Sequence, residues 1–441
     1  MGHEASYVDS GLSMGRSFRV GWGPGGTLAH SGSLSGPRSS QVLFPLLVDL
    51  NITDYFHRSQ SANSSTISYT SIPITPPSTT AEVLSKLLQH HLSHSQIEFD
   101  EEGIPFSYPS TSGDLAFGTF AALFPTTDPS YTASLFRLGE ALFDDLHLGI
   151  VDSITPDLRR QVTFLARRAA LSKWLEQAVS SSIETSLLTA PLSSVPFTLL
   201  TGHQVEKAIE AAINAGNVKL ATLISQAGGD ELFKEHLYAQ LQIWKEQKAD
   251  VLIDENIRKV YALLAGMVET EFGLDIVDGL DWKRALGLHL WYADPMDMSV
   301  GQVFEEFERL THHKSPPTPW YSEQSSNSSL VDGLYSLIRL HADPSCSLSL
   351  VLSPLSFGPS PVDFALPWHL YIIMSRCMRV RDFTDRGDPG VSMSDDEDVE
   401  RAEGHSPTAD LLASSYALQL EQLGLYQEAL FVMLHIEGSR G

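Results

Sequence analysis

The chain has 441 residues, 42% of them hydrophobic, enough for a large buried core arranged as one elongated body or as two domains. With 29 Lys and Arg against 54 Asp and Glu, the formal net charge of -25 repels phosphate backbones and disfavours direct nucleic-acid binding. Cys346 and Cys377 stand far apart without a CxxC or Cys/His zinc spacing, which argues against a disulfide framework or structural metal and fits a reducing compartment, cytosol or nucleus.

Met1 to Ser17 lacks the apolar run of a signal peptide, and no later stretch is long and apolar enough to span a bilayer, so the sequons at Asn51 and Asn327 are expected to stay unused. Phe18, Val20 and Trp22 then alternate with Arg19 and Gly21, the period of a strand with one apolar face. Gly23-Pro24-Gly25-Gly26 reads as a turn, Thr27 to His30 as a returning strand, and Val42 to Val48, interrupted by Pro45, as an edge or bulged strand. Gly21, Gly23 and Gly26 spell GxGxxG, but Pro24 and a second strand follow where a dinucleotide site needs a helix N-terminus. Residues 1–56 are thus expected to form a β-segment, too small to stand alone, in which Phe18 and Trp22 are worth about 1.5–3 kcal/mol each once covered.

Residues 57–80 are dominated by Ser, Thr, Pro, Asn and Gln, which reads as a flexible linker. From residue 81 to 441 the period becomes helical. Val83, Leu84, Leu87, Leu88 and His91 share one face, and Leu158, Val162, Leu165 and Ala169 make a stripe leading into Trp174, with Arg159, Arg160, Arg167 and Arg168 mostly off it. Val205 to Ile213 and Leu220 to Ile224 flank Gly216-Asn217, and Tyr416 to Leu423 and Tyr426 to Met433 flank Gly424, two helix–glycine–helix pairs with alanines at the crossing. Leu232 to Trp244, Ile257 to Leu264, Trp282 to Trp291 and Val300 to Leu310 supply further helices, with Trp282, Leu286, Leu290 and Trp291 as core. The fold class is therefore mainly α, an irregular α-helical solenoid in which each pair buries its stripe against its neighbours. Disordered loops are expected near 316–329 and 381–407, the latter carrying Ser392, Ser394 and the acidic run after them as a candidate phosphorylation site beside the plainer reading of a solvated loop.

Candidate chemistry is sparse. Of His90, His91 and His94, the spacing of His90 to His94 could place two imidazoles on one helix face, but without an HExxH glutamate or a third ligand a solvated histidine cluster is favoured over a metal site. Asp144 and Asp145, adjacent in a helix, would point about 100° apart and could not share one catalytic site. No GxSxG elbow or P-loop is present, so no catalytic residue, cofactor or metal is assigned and a non-enzymatic role is expected.

Ser17-Phe18-Arg19-Val20-Gly21-Trp22-Gly23-Pro24, with Thr27-Leu28-Ala29-His30-Ser31-Gly32, closely resembles the start of the scaffold nucleoporins released from the self-cleaving nucleoporin precursor, the ninety-six-kilodalton class of animals and the carboxy-terminal fragment of yeast. Asp281-Trp282-Lys283-Arg284 through His289-Leu290-Trp291-Tyr292, Arg168 to Trp174 and Tyr416 to Glu437 extend the similarity along most of the chain. The resemblance implies a subunit of the Y-shaped outer ring of the nuclear pore complex, at the nuclear envelope, supporting transport of protein and mRNA. It implies a solenoid that doubles back as an ancestral coatomer element, and amino-terminal strands that add a blade to an open six-bladed WD-repeat propeller of the Sec-thirteen type. Phe18, Val20, Trp22, Leu28, Val42, Leu43 and Phe44 would then bind the propeller, and the helices would dock other outer-ring nucleoporins. The chain departs from that pattern in starting at Met1 without the autoproteolytic domain and in stopping at Gly441, which implies a fragment, an alternative product or a separate gene. A COPII-like vesicle-coat scaffold is the alternative, but such a subunit carries its own amino-terminal propeller, for which Met1 to Gln60 leaves no room.

Overall fold

Short-range signals place the elements and long-range polar pins join them. The computed structural model describes the backbone of residues 20–23, 27–31 and 67–71, and side chains as well for 79–100, 103–110, 115–146, 155–310, 313–321, 330–386 and 406–437. Three strands, β1 (Val20–Gly23), β2 (Thr27–Ser31) and β3 (Ile67–Ser71), form an antiparallel sheet in that order. The β1–β2 hairpin is as expected from its period. The strand β3 corrects the reading of 57–80 as a flexible linker: Ile67-Ser68-Tyr69-Thr70 alternates β-prone side chains, a signal that the surrounding Ser, Thr and Pro composition obscured. The run from Val42 to Val48 lies outside the described residues.

Helix α1 (Ala81–Ser93) is capped by the Thr80 hydroxyl, which accepts from Val83 N, and it buries Leu84, Leu87, Leu88 and His91. A hairpin that the helical reading missed follows, β4 (Ser95–Phe99) against β5 (Pro105–Pro109). Helices α2 (Phe117–Ala121) and α3 (Tyr131–Phe143) come next. Asp144 sits just past the end of α3, not inside a helix as expected, and its carboxylate accepts from Phe117 N (3.1 Å) and Gly118 N (2.6 Å) to cap α2. That placement makes Asp144 structural, and burial pushes its carboxyl upward.

Helix α4 (Pro156–Thr189) opens with Pro at its first position, where the missing N–H costs nothing, and runs 34 residues. Its expected stripe is uncovered at Leu158 and Leu165, and burial begins only at Arg168, because α4 outruns the much shorter α3 and α10 packed on it. Arg168, read as lying off the stripe, is instead buried. Its guanidinium donates to the carbonyls of Leu290, Asp294 (3.0 Å), Pro295 (2.6 Å) and Met298 (3.4 Å), clamping α4 to a helix end that would otherwise hold unsatisfied acceptors.

An arm of shorter helices follows: α5 (Val195–Leu200), α6 (Val205–Asn214), α7 (Val218–Ile224), α8 (Glu231–Glu246) and α9 (Glu255–Leu264). The α6–α7 turn uses Gly216 at φ 76°, and Ala208 and Ala212 are fully buried, as the glycine-and-alanine pattern predicts. The chain then returns through α10 (Trp282–Leu288), which continues as a π-helical turn to Ala293, α11 (Val300–Leu310) and α12 (Gly333–Ala342). Trp282, Leu286, Leu290 and Trp291 are all buried, as expected. Short helices α13 (Leu348–Val351) and α14 (Pro354–Phe357) lead to α15 (Ala365–Tyr371), which also ends in a π turn, and then to the closing pair α16 (Pro407–Gln422) and α17 (Tyr426–Met433), joined through Gly424 at φ 77°.

The returning helices pack on the first ones, α12 on α3, α10 on α4 and α17 on α1, so the solenoid doubles back instead of each pair meeting only its neighbours. Asp332, just before α12, shows how. Its carboxylate accepts from Tyr131 Oη (2.8 Å) of α3, Trp282 Nε1 (3.2 Å) of α10 and Leu334 N (3.1 Å) of its own helix. A Cβ on the next residue, Gly333, would lie 2.6 Å from Phe357 Cε1 and 2.9 Å from the Tyr131 hydroxyl, so the junction closes only around a glycine. The loop expected at 316–329 is corrected over its first residues for the same reason. Pro317 and Pro319 are buried, Pro317 O accepts from Asp332 N (2.9 Å), and the side chains of Trp320 and Tyr321 donate to Phe357 O (3.3 Å) and Leu355 O. In the loop expected at 381–407, Phe383 stacks on Tyr371 (5.0 Å) and Arg386 binds Glu437 (2.9 Å); Ser392 and Ser394 lie outside the described residues.

Candidate partner interface

The amino-terminal sheet is the candidate site, and its register decides which residues meet. Trp22 lies directly opposite Leu28 and Val20 opposite His30, while β3 sets Thr70 opposite Leu28 and Ser68 opposite His30. Because side-chain direction alternates along a strand, positions 20, 22, 28, 30, 68 and 70 share one face of the sheet. Val20, Trp22 and Leu28, three of the residues singled out from sequence, are therefore brought onto that face. Phe18, Val42, Leu43 and Phe44 lie outside the described residues. Positions 21, 29 and 69 form a row on the opposite face.

The chain leaving this sheet is fastened where α1 begins. Thr79 donates through N (3.3 Å) and Oγ1 (3.1 Å) to Asp363 Oδ2, and Asp363 Oδ1 accepts from Gln419 Nε2 (3.1 Å) of α16. One carboxylate thus ties the entry to the body to both α15 and the closing helix pair, a contact spanning 284 residues of sequence that no local pattern signals.

The histidines of α1 take three different roles, which corrects the solvated-cluster reading. His90 is half-buried and its Nε2 meets Thr119 Oγ1 (3.1 Å), while His94 turns back on the end of its own helix, Nδ1 to His90 O (2.9 Å). His91 is fully buried, its ring 5.1 Å from Trp368, 5.5 Å from Phe431, 5.5 Å from His435 and 5.8 Å from His369. Burial, then the repulsion of His435, His369, His90 and His94, holds the His91 imidazole well below its ordinary pKa; burial, His90 and His435 lower His369 to about 3. Neutral rings pack like aromatic side chains, and they seal α1 against α15 and α17. Among the described residues, no trio of His, Cys, Asp or Glu is arranged to hold a metal ion. Burial also raises both thiols, Cys377 to about 12, so neither is an activated nucleophile. Within the same residues, no helix is long and apolar enough to cross a membrane.

The model of the Nup96 family, "Nuclear protein 96", matches residues 195–441. The nuclear pore complex protein NUP96 of Arabidopsis thaliana is 27% identical across 98% of this chain and 43% of its own length. Nucleoporin nup189 of Schizosaccharomyces pombe is 26% identical across 84% of the chain and 20% of its own length. The Nup98-Nup96 protein of Drosophila melanogaster is 28% identical across 70% of the chain and 15% of its own length. The chain thus spans less than half the length of these relatives.

Proposed function

The chain belongs to the Nup96 family, and from that premise we propose that it is a non-enzymatic scaffold of the nuclear pore complex outer ring whose amino-terminal sheet completes an open WD-repeat propeller by strand addition. The observation that carries this reading is the antiparallel sheet β1–β2–β3 with positions 20, 22 and 28 on one face, joined to the helical body at Thr79. An open propeller offers what such a sheet lacks, unpaired edge N–H and C=O groups for its backbone and an apolar wall for Trp22 and Leu28. Main-chain pairing supplies affinity and the apolar anchors supply register and specificity. The helical body then docks other outer-ring nucleoporins at the nuclear envelope, supporting transport of protein and mRNA. Its contribution is geometric, since neither the thiols nor the buried imidazoles are poised for chemistry.

Replacing Phe18 and Trp22 together by Ser tests the reading. Co-elution with a Sec-thirteen-type propeller is expected to be lost while circular dichroism keeps its helical signal. Unchanged co-elution of the double variant, or of a chain lacking residues 1–58, would move the contact to the helices. Affinity purification recovering vesicle-coat proteins without other nucleoporins would overturn the assignment to the pore.

A further inference from the structure

The second sheet, the β4–β5 hairpin, has one closed edge and one open edge. In an antiparallel pair, alternate residues of a strand aim N–H and C=O at the partner and the others aim them away. Asp100 N donates to Ile104 O (3.1 Å) and Ser110 N to His94 O (2.8 Å), so the even-numbered positions of β4 bond to β5 while Ser95, Ile97 and Phe99 face outward. The opposite strand agrees. Ser107, paired with Ile97, sends its N–H away from β4 to Leu434 O (2.9 Å), which closes the β5 edge on the α16–α17 pair. On the β4 edge, no hydrogen bond from any described residue reaches the main chain of Ile97 or Phe99. The two residues are 47% and 69% exposed, beside an acidic sequence, Glu98-Phe99-Asp100-Glu101-Glu102.

An unpaired edge with large apolar side chains is a template for another strand. A second copy of β4 laid antiparallel with Phe99 opposite Ile97 or Phe99 would set Glu98 against Glu98 or Asp100, which like charges across a ladder disfavour. We propose that the β4 edge accepts, by strand addition, an extended segment of a partner protein that alternates apolar residues with Lys or Arg. The apolar residues would cover Ile97 and Phe99 and the cations would answer the carboxylates. The proposal stands apart from the propeller reading, because it uses a different sheet held by the helical body.

The full chain can be titrated with a labelled, end-blocked hexapeptide alternating Val and Lys, read by fluorescence anisotropy, with a Val–Glu hexapeptide as control. Wild type is expected to bind the Val–Lys peptide and not the Val–Glu peptide. Ile97→Pro removes an outward N–H without touching the β4–β5 ladder and keeps the charge, so binding is expected to weaken at least about tenfold. Phe99→Ser keeps every main-chain donor and is expected to weaken binding several-fold; it carries the test alone if Ile97→Pro fails to fold. Absence of binding by wild type, equal binding of the Val–Glu peptide, or unchanged affinity in a folded variant would overturn the proposal.

Discussion

At the Asp332 junction, three donors from α3, α10 and α12 converge on one buried carboxylate; at the His91 junction, α1, α15 and α17 meet through buried neutral imidazoles and aromatic rings. The first is directional, since each bond fixes the angle between two helices. The second is close to isotropic, relying on ring packing, and both ring nitrogens of His91 and of His369 find no hydrogen-bond partner among the described residues. Both close the doubled-back body across large gaps in sequence, but they respond to different perturbations. Removing shape or a donor damages the first, whereas adding protons damages the second.

The largest effect is expected from Trp282→Ala, which deletes a buried indole and the Nε1 donor to Asp332 together. A loss of about 3–5 kcal/mol in urea denaturation is expected. Wild-type melting combined with failure to bind another nucleoporin would instead make Trp282 a surface anchor.

Acid should discriminate between the junctions. An imidazole held below its ordinary pKa binds fewer protons folded than unfolded, so its contribution is intact above about 6.5 and is lost as pH falls below it, for His369 down towards its folded value of about 3. His369 should by itself make the chain roughly 1 kcal/mol less stable at pH near 5.5 than near 7.5, and His91 should shift stability in the same direction. In His369→Leu, which binds no proton at that position, the dependence should become shallower. Identical pH profiles for wild type and variant would show that these rings are hydrated and not sealed in the core.

Tyr131→Phe is the mildest probe. It keeps the ring and removes one of the donors to Asp332, and about 1–2 kcal/mol should be lost near pH 7.5. A loss no larger than that of an exposed hydroxyl would mean that the carboxylate finds a replacement donor.

Much of the helical body was legible because its signals are short-range. The α6–α7 and α16–α17 turns follow from Gly216 and Gly424, and the core role of Trp282 to Trp291 follows from helical spacing. β3 and β4 were missed because short alternating runs sat in polar or otherwise helical surroundings. His91 was placed on the correct face of α1, but whether that face meets water or Trp368 depends on a helix almost 280 residues away. The burial of Arg168 is hidden from the local sequence for a similar reason, since the carbonyls it binds lie at and beyond the distant end of α10. Of the candidate interface, the β1–β2 hairpin could be read from sequence, while the pairing of β3 to β2 bridges more than thirty residues without a turn signal.

Local periodicity, caps and glycines by themselves determined that this chain is a series of amphipathic helices behind an amino-terminal hairpin, because those preferences act within a few residues. Periodicity left the doubling back to the family resemblance, and only the tertiary structure decided which helices meet, that Asp332, Asp363 and Arg168 serve as pins, and that β4 keeps an edge bare among the described residues. Each depends on a donor, an acceptor or an apolar face supplied from far along the chain, and a buried polar group declares its role only when its distant partner is in place.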